Sequence, residues 1–267
     1  VDLSYGFKAY DARILIRSND PALHELALSI TRKCLLDNIR PHAGTYDVTL
    51  DLTKLPGGAY EMRRNGEHLS SGENLDLLPD YLNQMVRISV AEFSRDLLFI
   101  HAGAVGWRGK GILLPALSHR GKSSFVHELV SAGAEYYSDD FAILDQMGEL
   151  HPFARPISMR GRNGDPGTYE VDAVQELGAK VGVTPVPVGL ILITEYRARV
   201  RWRPRMLTVG EGVLATLPFA IPLQRYPEKC LRILNLVGSH AAFAQTPRGD
   251  AKRAALQLLE FMDALTS

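Results

Sequence analysis

Gly111-Ile112-Leu113-Leu114-Pro115-Ala116-Leu117-Ser118-His119-Arg120-Gly121-Lys122-Ser123-Ser124 decides how the rest of the chain is read. An apolar run ends in a turn, the turn ends in Gly-Lys-Ser, and an apolar-periodic segment follows at Phe125, Val126, Leu129 and Val130. That order predicts a strand, a phosphate-cradling loop and a helix. Backbone N–H groups in such a loop, with the positive end of the helix, bind phosphate oxygens. Residues Ser118, His119, Arg120, Gly121, Lys122, Ser123 and Ser124 are therefore the expected nucleotide-binding set. Lys122 is placed to reach the β- and γ-phosphates, and the Ser123 hydroxyl to ligate Mg²⁺. Ala116 stands where the pattern G-x-x-x-x-G-K-[ST] has its first glycine, and His119 where many such loops carry another.

Downstream, Glu135-Tyr136-Tyr137-Ser138-Asp139-Asp140-Phe141-Ala142-Ile143-Leu144 sets two adjacent carboxylates at a predicted strand end. Phosphoryl transfer needs a carboxylate near Mg²⁺ and a base for the attacking hydroxyl. Taken alone, a Ser-Asp-Asp turn is also an ordinary exposed loop or helix cap. Upstream, Leu97–Ile100 reads as a buried strand continued by His101-Ala102-Gly103-Ala104-Val105, and the turn Trp107–Gly111 feeds the loop strand.

Working outward, residues 1–94 read as an α+β lobe. Ala12–Arg17 forms a short strand, and Asp20-Pro21 opens a helix with apolar residues at Leu23, Leu26, Ala27, Ile30, Cys34 and Leu35. Residues 46–52 and 60–64 alternate as strands, and Asn65-Gly66 is a hairpin turn. Residues 76–94 carry a helical pattern. Beyond the carboxylates, residues 145–180 are rich in turn formers, with a Gly/Arg/Asn loop at 160–167 that either closes over phosphates or is a surface loop. Val186–Thr194 is a buried strand. Arg197, Arg199, Arg201, Arg203 and Arg205 alternate after it, which predicts a basic strand face, with Trp202 in a core role. The C-terminal third reads as mostly helical, over 211–217, 228–237 and 250–265, and carries no visible chemistry.

Composition limits the alternatives. Thirty basic and thirty acidic residues leave no net charge, so no global positive field argues for nucleic acid. No apolar run approaches a membrane span, and no signal peptide is read at the start of the sequence. The protein is expected to be cytoplasmic. Cys34 and Cys230 are too distant for a zinc knuckle or a disulfide framework and read as buried thiols. His24, His42 and His240 lack ligand spacing and read as structural or surface residues.

The order Phe99-Ile100-His101-Ala102-Gly103-Ala104-Val105, strand, Gly121-Lys122-Ser123-Ser124, then Ser138-Asp139-Asp140, resembles the catalytic domain of HPr kinase/phosphorylase and its relatives, over roughly residues 95–165. The resemblance implies an α/β fold: a P-loop-containing mixed sheet of the HPr kinase/phosphoenolpyruvate carboxykinase type, with an N-terminal α+β lobe (1–94), a nucleotide-binding catalytic domain (95–267) and C-terminal helices. It implies that Lys122 and the 118–123 backbone bind the β/γ-phosphates and that Ser123 and Asp140 hold Mg²⁺. Asp139 becomes the base toward an acceptor hydroxyl, His101 lies near the transferred group, and Arg160 stabilises the transition state. Ser158 and Met159 stand where the family has an acidic residue before Arg-Gly, and features for HPr binding are not recognisable.

The implied activity is ATP-dependent phosphorylation of a hydroxyl, with GTP a second candidate nucleotide. The acceptor is expected to be serine on a protein or peptide, such as a natural-product precursor, or a small molecule. A homo-oligomer is a candidate assembly, as in relatives. Two other readings compete: a nucleotide-binding regulatory module without turnover, and an interaction protein in which Gly-Lys-Ser is accidental.

Overall fold

The computed structural model describes residues 3–73, 75–116, 121–160 and 168–266. The fold is mixed α/β, and the chain divides into two compact units, residues 1–96 and 97–267.

In the first unit, β1 (Leu3–Ala9), β2 (Ala12–Ser18), α1 (Pro21–Cys34), β3 (Arg40–Pro41), β4 (Val48–Lys54), β5 (Tyr60–Arg64), β6 (Glu67–Gly72) and α2 (Leu78–Phe93) follow in order. The six strands make one sheet, β3-β1-β2-β4-β5-β6. α1 is the crossover between the parallel pair β2 and β4, and the remaining pairs are antiparallel. Asp20 caps α1 by accepting from the Leu23 N–H at 3.0 Å, with Pro21 at the first helical position. Asn65 and Gly66, both at positive φ, close the predicted hairpin. α1 and α2 pack together and on β2, burying Leu23, Ala27, Leu82, Val86 and Val90 against Ile14 and Ile16.

The second unit holds β7 (Leu98–Trp107), β8 (Lys110–Pro115), α3 (Lys122–Ser131), β9 (Glu135–Ser138), β10 (Phe141–Leu144), β11 (Glu149–His151), β12 (Ile157–Arg160), β13 (Thr168–Val171), α4 (Ala173–Leu177), β14 (Val186–Tyr196), β15 (Arg205–Leu207), α5 (Val209–Thr216), α6 (Pro227–Gly238), β16 (Ala242–Arg248) and α7 (Ala251–Thr266). Its main sheet runs β11-β10-β7-β8-β14-β16-β15, with β9 also paired to β7. β8, β14 and β16 are parallel, β10 runs in their direction, and β7 and β15 run against them.

Helices cover both faces. One core joins Phe125, Val126 and Leu129 of α3 to Ala255, Leu258 and Met262 of α7 across Leu190 and Leu192 of β14. The other joins Val213 of α5 and Ile233, Leu234 and Val237 of α6 to Leu113 and Ile191. α3, which follows β8, thus covers one face, and α5 and α6, which lie between β14 and its parallel neighbour β16, cover the other. Neighbouring parallel strands whose connections part in this way leave a crevice beyond their carboxyl ends, where α/β proteins bind ligands.

Two expectations are corrected here. The arginines at 197–205 do not share a strand face: β14 ends at Tyr196, Arg199 turns the chain at φ +59, and only Arg205 begins a new strand. The C-terminal third is not simply helical either. Ala242–Arg248 is a strand inside the main sheet, between β14 and β15. Trp202 packs against the α3–α7 core. Among the described residues, no helix is long and apolar enough to cross a membrane.

Candidate active site

The site is assembled on β7. Its residues 98–101 pair with β10 and residues 104–106 with β9, both antiparallel. β9 and β10 are therefore two pieces of one interrupted strand, and Asp139-Asp140 is the interruption. The expected strand end is a break within a line of pairing. The Ser138 hydroxyl accepts from the Asp140 and Phe141 N–H groups at 3.2 Å, and the Ala102 N–H bonds the Asp140 carbonyl at 3.1 Å. The break is thus held shut on the β7 side, while the Asp139 carboxylate meets α3 at Ser123 and the Asp140 carboxylate faces His101 and Arg155.

Gly103 brings the helix close. A Cβ at this position would lie 2.4 Å from Val126 Cγ2 and 3.4 Å from Lys122 Cγ. With no side chain there, the first turns of α3 settle on β7. Lys122 Nζ then lies 3.1 Å from His101 Nε2 and 3.4 Å from His101 Nδ1, and it donates to the Asp140 carbonyl at 3.4 Å. His101 Nδ1 is 3.7 Å from Asp140 Oδ1, and Arg155 Nη1 is 3.9 Å from Asp140 Oδ2.

The two carboxylates occupy different surroundings. Asp139 is 5% exposed, whereas Asp140 is partly open. Oδ2 of Asp139 accepts from the Ser123 hydroxyl at 3.1 Å and the Ser158 N–H at 3.0 Å, and Oδ1 faces the Tyr136 hydroxyl at 3.4 Å. Burial pushes the Asp139 carboxyl above the ordinary range, and the Ser158 N–H, the Lys122 charge, the Ser123 hydroxyl and the Arg155 charge pull against it without prevailing. Tyr136 is driven upward too, first by burial and then by the charge of Asp139. The hydroxyl that sequence reasoning paired with Asp140 is therefore bonded to Asp139.

Gly121, at φ +78, opens the Gly-Lys-Ser turn and caps α3. Its carbonyl accepts from Arg248 Nη2, and a Cβ on Gly121 would stand 2.7 Å from that nitrogen. Arg248, at the end of β16, is 3% exposed and lies over the Phe125 ring at 4.5 Å. Burial lowers its pKa to about 10, partly opposed by Asp250 and Tyr196.

Of the expected residues, the structure gathers His101, Lys122, Ser123, Asp139 and Asp140 at one place. Ser124 lies exposed on the first turn of α3. Ser118, His119 and Arg120 lie outside the described residues, as does the 161–167 loop; Arg160 closes β12, and its side chain lies outside them too. Sequence reasoning missed Tyr136, Arg155 and Arg248. Tyr136 was visible inside the Tyr-Tyr-Ser-Asp-Asp segment; the two arginines carried no local signal.

Ser123 and Asp139 suit Mg²⁺, a hard cation that takes oxygen ligands, keeps several waters and needs only one or two carboxylates beside phosphates. A cation there would also relieve the buried charge of Asp139. Among the described residues, no three His, Cys, Asp or Glu gather as a metal cage.

No protein-family model matches the chain, and no curated protein matches it. Among solved structures, the Hpr(Ser) kinase/phosphatase from Coxiella burnetii matches at 15% identity with a TM-score of 0.38, covering 62% of this chain and 94% of that one. That is a distant structural relationship.

Proposed function

We propose that the chain is an ATP- and Mg²⁺-dependent phosphotransferase of the HPr-kinase-like type, acting on a hydroxyl acceptor. The reading rests on one observation: Lys122, His101, Ser123, Asp139, Asp140 and Arg155 converge at the N-terminus of the helix that follows the Gly-Lys-Ser turn. A lysine, a positive helix end and a buried hydroxyl–carboxylate pair are the parts that phosphoryl transfer requires, because its catalysis is positioning plus charge stabilisation. Lys122 and the loop backbone hold the β/γ-phosphates. Bound Mg²⁺, held by Ser123 and Asp139, neutralises phosphate charge.

The two aspartates exchange the roles expected from the sequence. Asp139, locked to Ser123 and Ser158, is the metal-side carboxylate. Asp140, partly open and beside His101, is the base. The acceptor O–H gives its proton to Asp140 as its oxygen bonds the γ-phosphorus. The bond from that phosphorus to the β–γ bridging oxygen breaks, and ADP leaves. Arg155 takes the place that sequence reasoning gave Arg160, facing the charge that spreads over the equatorial oxygens. The acceptor class proposed is a serine hydroxyl of a protein or peptide, or a small-molecule alcohol.

A second reading, a nucleotide-binding module without turnover, draws support from Ala116 and His119 at loop glycine positions. Calorimetric titration with Mg²⁺-ATP separates the cases. Saturable binding that Lys122→Ala weakens by about tenfold to a hundredfold, the worth of a lost charged hydrogen bond, supports the phosphate site. Turnover of ATP that Asp140→Asn abolishes while binding survives supports the enzyme. Binding without turnover in the wild type leaves the module, and no binding to the folded wild type removes both.

A further inference from the structure

A cavity of about 400 Å³ opens at the carboxyl ends of β8, β14 and β16. That is the crevice set up by the parting connections of β8 and β14, and its size lies in the range of small-molecule pockets. Pro115, Ala116, Ile193, Phe219 and Pro247 give it apolar walls; Thr194, Glu195 and Gln245 are among its polar groups. We propose that this cavity takes the nucleoside end of the bound nucleotide, an inference that rests on the phosphate-site reading above.

Three observations carry it. First, both ends of the phosphate loop are tied to the cavity. Ala116, in its wall, begins the loop, and Thr246-Pro247, also in its wall, run directly into Arg248, which grips the Gly121 carbonyl at the loop's other end. A ligand with its phosphates in the loop has its remaining part beside or inside this space. Second, the sheet order separates two sides. His101, Asp139 and Asp140 belong to β7 and the β9–β10 break, on one flank of β8, while β14 and β16 lie on the other. The acceptor must meet Asp140, so it approaches from the β7 flank, and the β14–β16 flank is left for the far end of the nucleotide.

Third, the polar groups suit a nucleoside. Thr194 Oγ1 is out of solvent and has no hydrogen-bond partner among the described residues, a state that is costly until a ligand supplies one. Glu195, held through Oε1 by Arg197 Nε at 2.7 Å, places a carboxylate, the kind of group that accepts from ribose hydroxyls, in the cavity wall. Apolar walls with a few convergent polar groups are the usual composition of a small-molecule or cofactor pocket.

The test compares ATP, 2′-deoxy-ATP and inorganic tripolyphosphate by calorimetry in Mg²⁺, on the wild type, Thr194→Val, Glu195→Gln and Gln245→Trp. Thr194→Val is isosteric and keeps the fold, while Gln245→Trp fills the cavity from an exposed position. The expected result is that Thr194→Val and Gln245→Trp each weaken ATP by about tenfold, with tripolyphosphate binding unchanged. Glu195→Gln removes the preference for ATP over 2′-deoxy-ATP. Parallel loss of ATP and tripolyphosphate, or unchanged ATP binding in all three variants, overturns the cavity assignment while the phosphate site stands. Failure of the wild type to bind either ATP or tripolyphosphate overturns the phosphate site, and the assignment with it.

Discussion

At the scale of single residues, Asp139 is where the proposed function and stability oppose each other. Its carboxylate is kept in a place that favours the neutral form. Oδ2 receives both strong donors, from Ser123 and Ser158, while Oδ1 faces a tyrosine hydroxyl that also bonds the Arg155 carbonyl. An asparagine fits that pattern: its carbonyl accepts from Ser123 and Ser158, and its NH₂ donates to Tyr136. Asp139→Asn is therefore expected to raise the melting temperature of nucleotide-free protein at neutral pH while abolishing phosphoryl transfer. The gain is about 2–4 °C for each kcal/mol of relieved burial in a chain of this size. The sign with pH follows from the raised native pKa. The folded state binds this proton more tightly than the unfolded chain, so its contribution is complete below about pH 4 and is lost as pH rises through the native value. Melting curves of the two proteins should coincide most closely in acid and separate as pH rises. A gap that is absent at pH 7, or constant from acid to neutral, would refute the account.

At the scale of elements, the site exists because one strand is broken opposite a glycine. The break puts Asp139-Asp140 beside α3, and Gly103 lets α3 come near enough for Lys122 to meet His101. Gly103→Ala forces a Cβ into Val126 Cγ2, and overpacking of this kind costs about 1–3 kcal/mol. Adding Val126→Ala makes room, so the double variant should regain part of the lost stability and nucleotide affinity. Additive losses in a double-mutant cycle would show that Gly103 does not set the helix position.

The same elements mark what was legible in the sequence. The Asp20 cap, the Asn65-Gly66 hairpin, the Arg108-Gly109 turn and the helix after Gly121 are local, and short-range residue chemistry announces them. β1 was missed because its hairpin turns through Tyr10 and Asp11 at positive φ, without the glycine that usually signals it. The alternating arginines mimicked a strand period, and a positive φ at Arg199 undid it. Arg248 reaches Gly121 across 127 positions, a separation that no local pattern encodes. The aspartates were found by spacing, but which of them meets Ser123 depends on how the β9–β10 break turns.

At the scale of the whole molecule, every residue of the proposed site and of the cavity belongs to the second unit. Both hydrophobic cores around its sheet are built within residues 97–267, from Leu98 at one end to Met262 at the other. The first unit has its own six-stranded sheet and two covering helices. Lys229 also donates to the Leu97 carbonyl at 2.8 Å, which fixes the start of β7 within the second unit. A domain with its own core can fold alone. Residues 97–267 produced separately are expected to unfold cooperatively and to bind Mg²⁺-ATP with the affinity of the full chain. Nucleotide binding that weakens in the fragment, despite a cooperative melt, would place part of the nucleotide site on residues 1–96. Retained binding with lost transfer to a protein acceptor would instead assign the first unit to the acceptor.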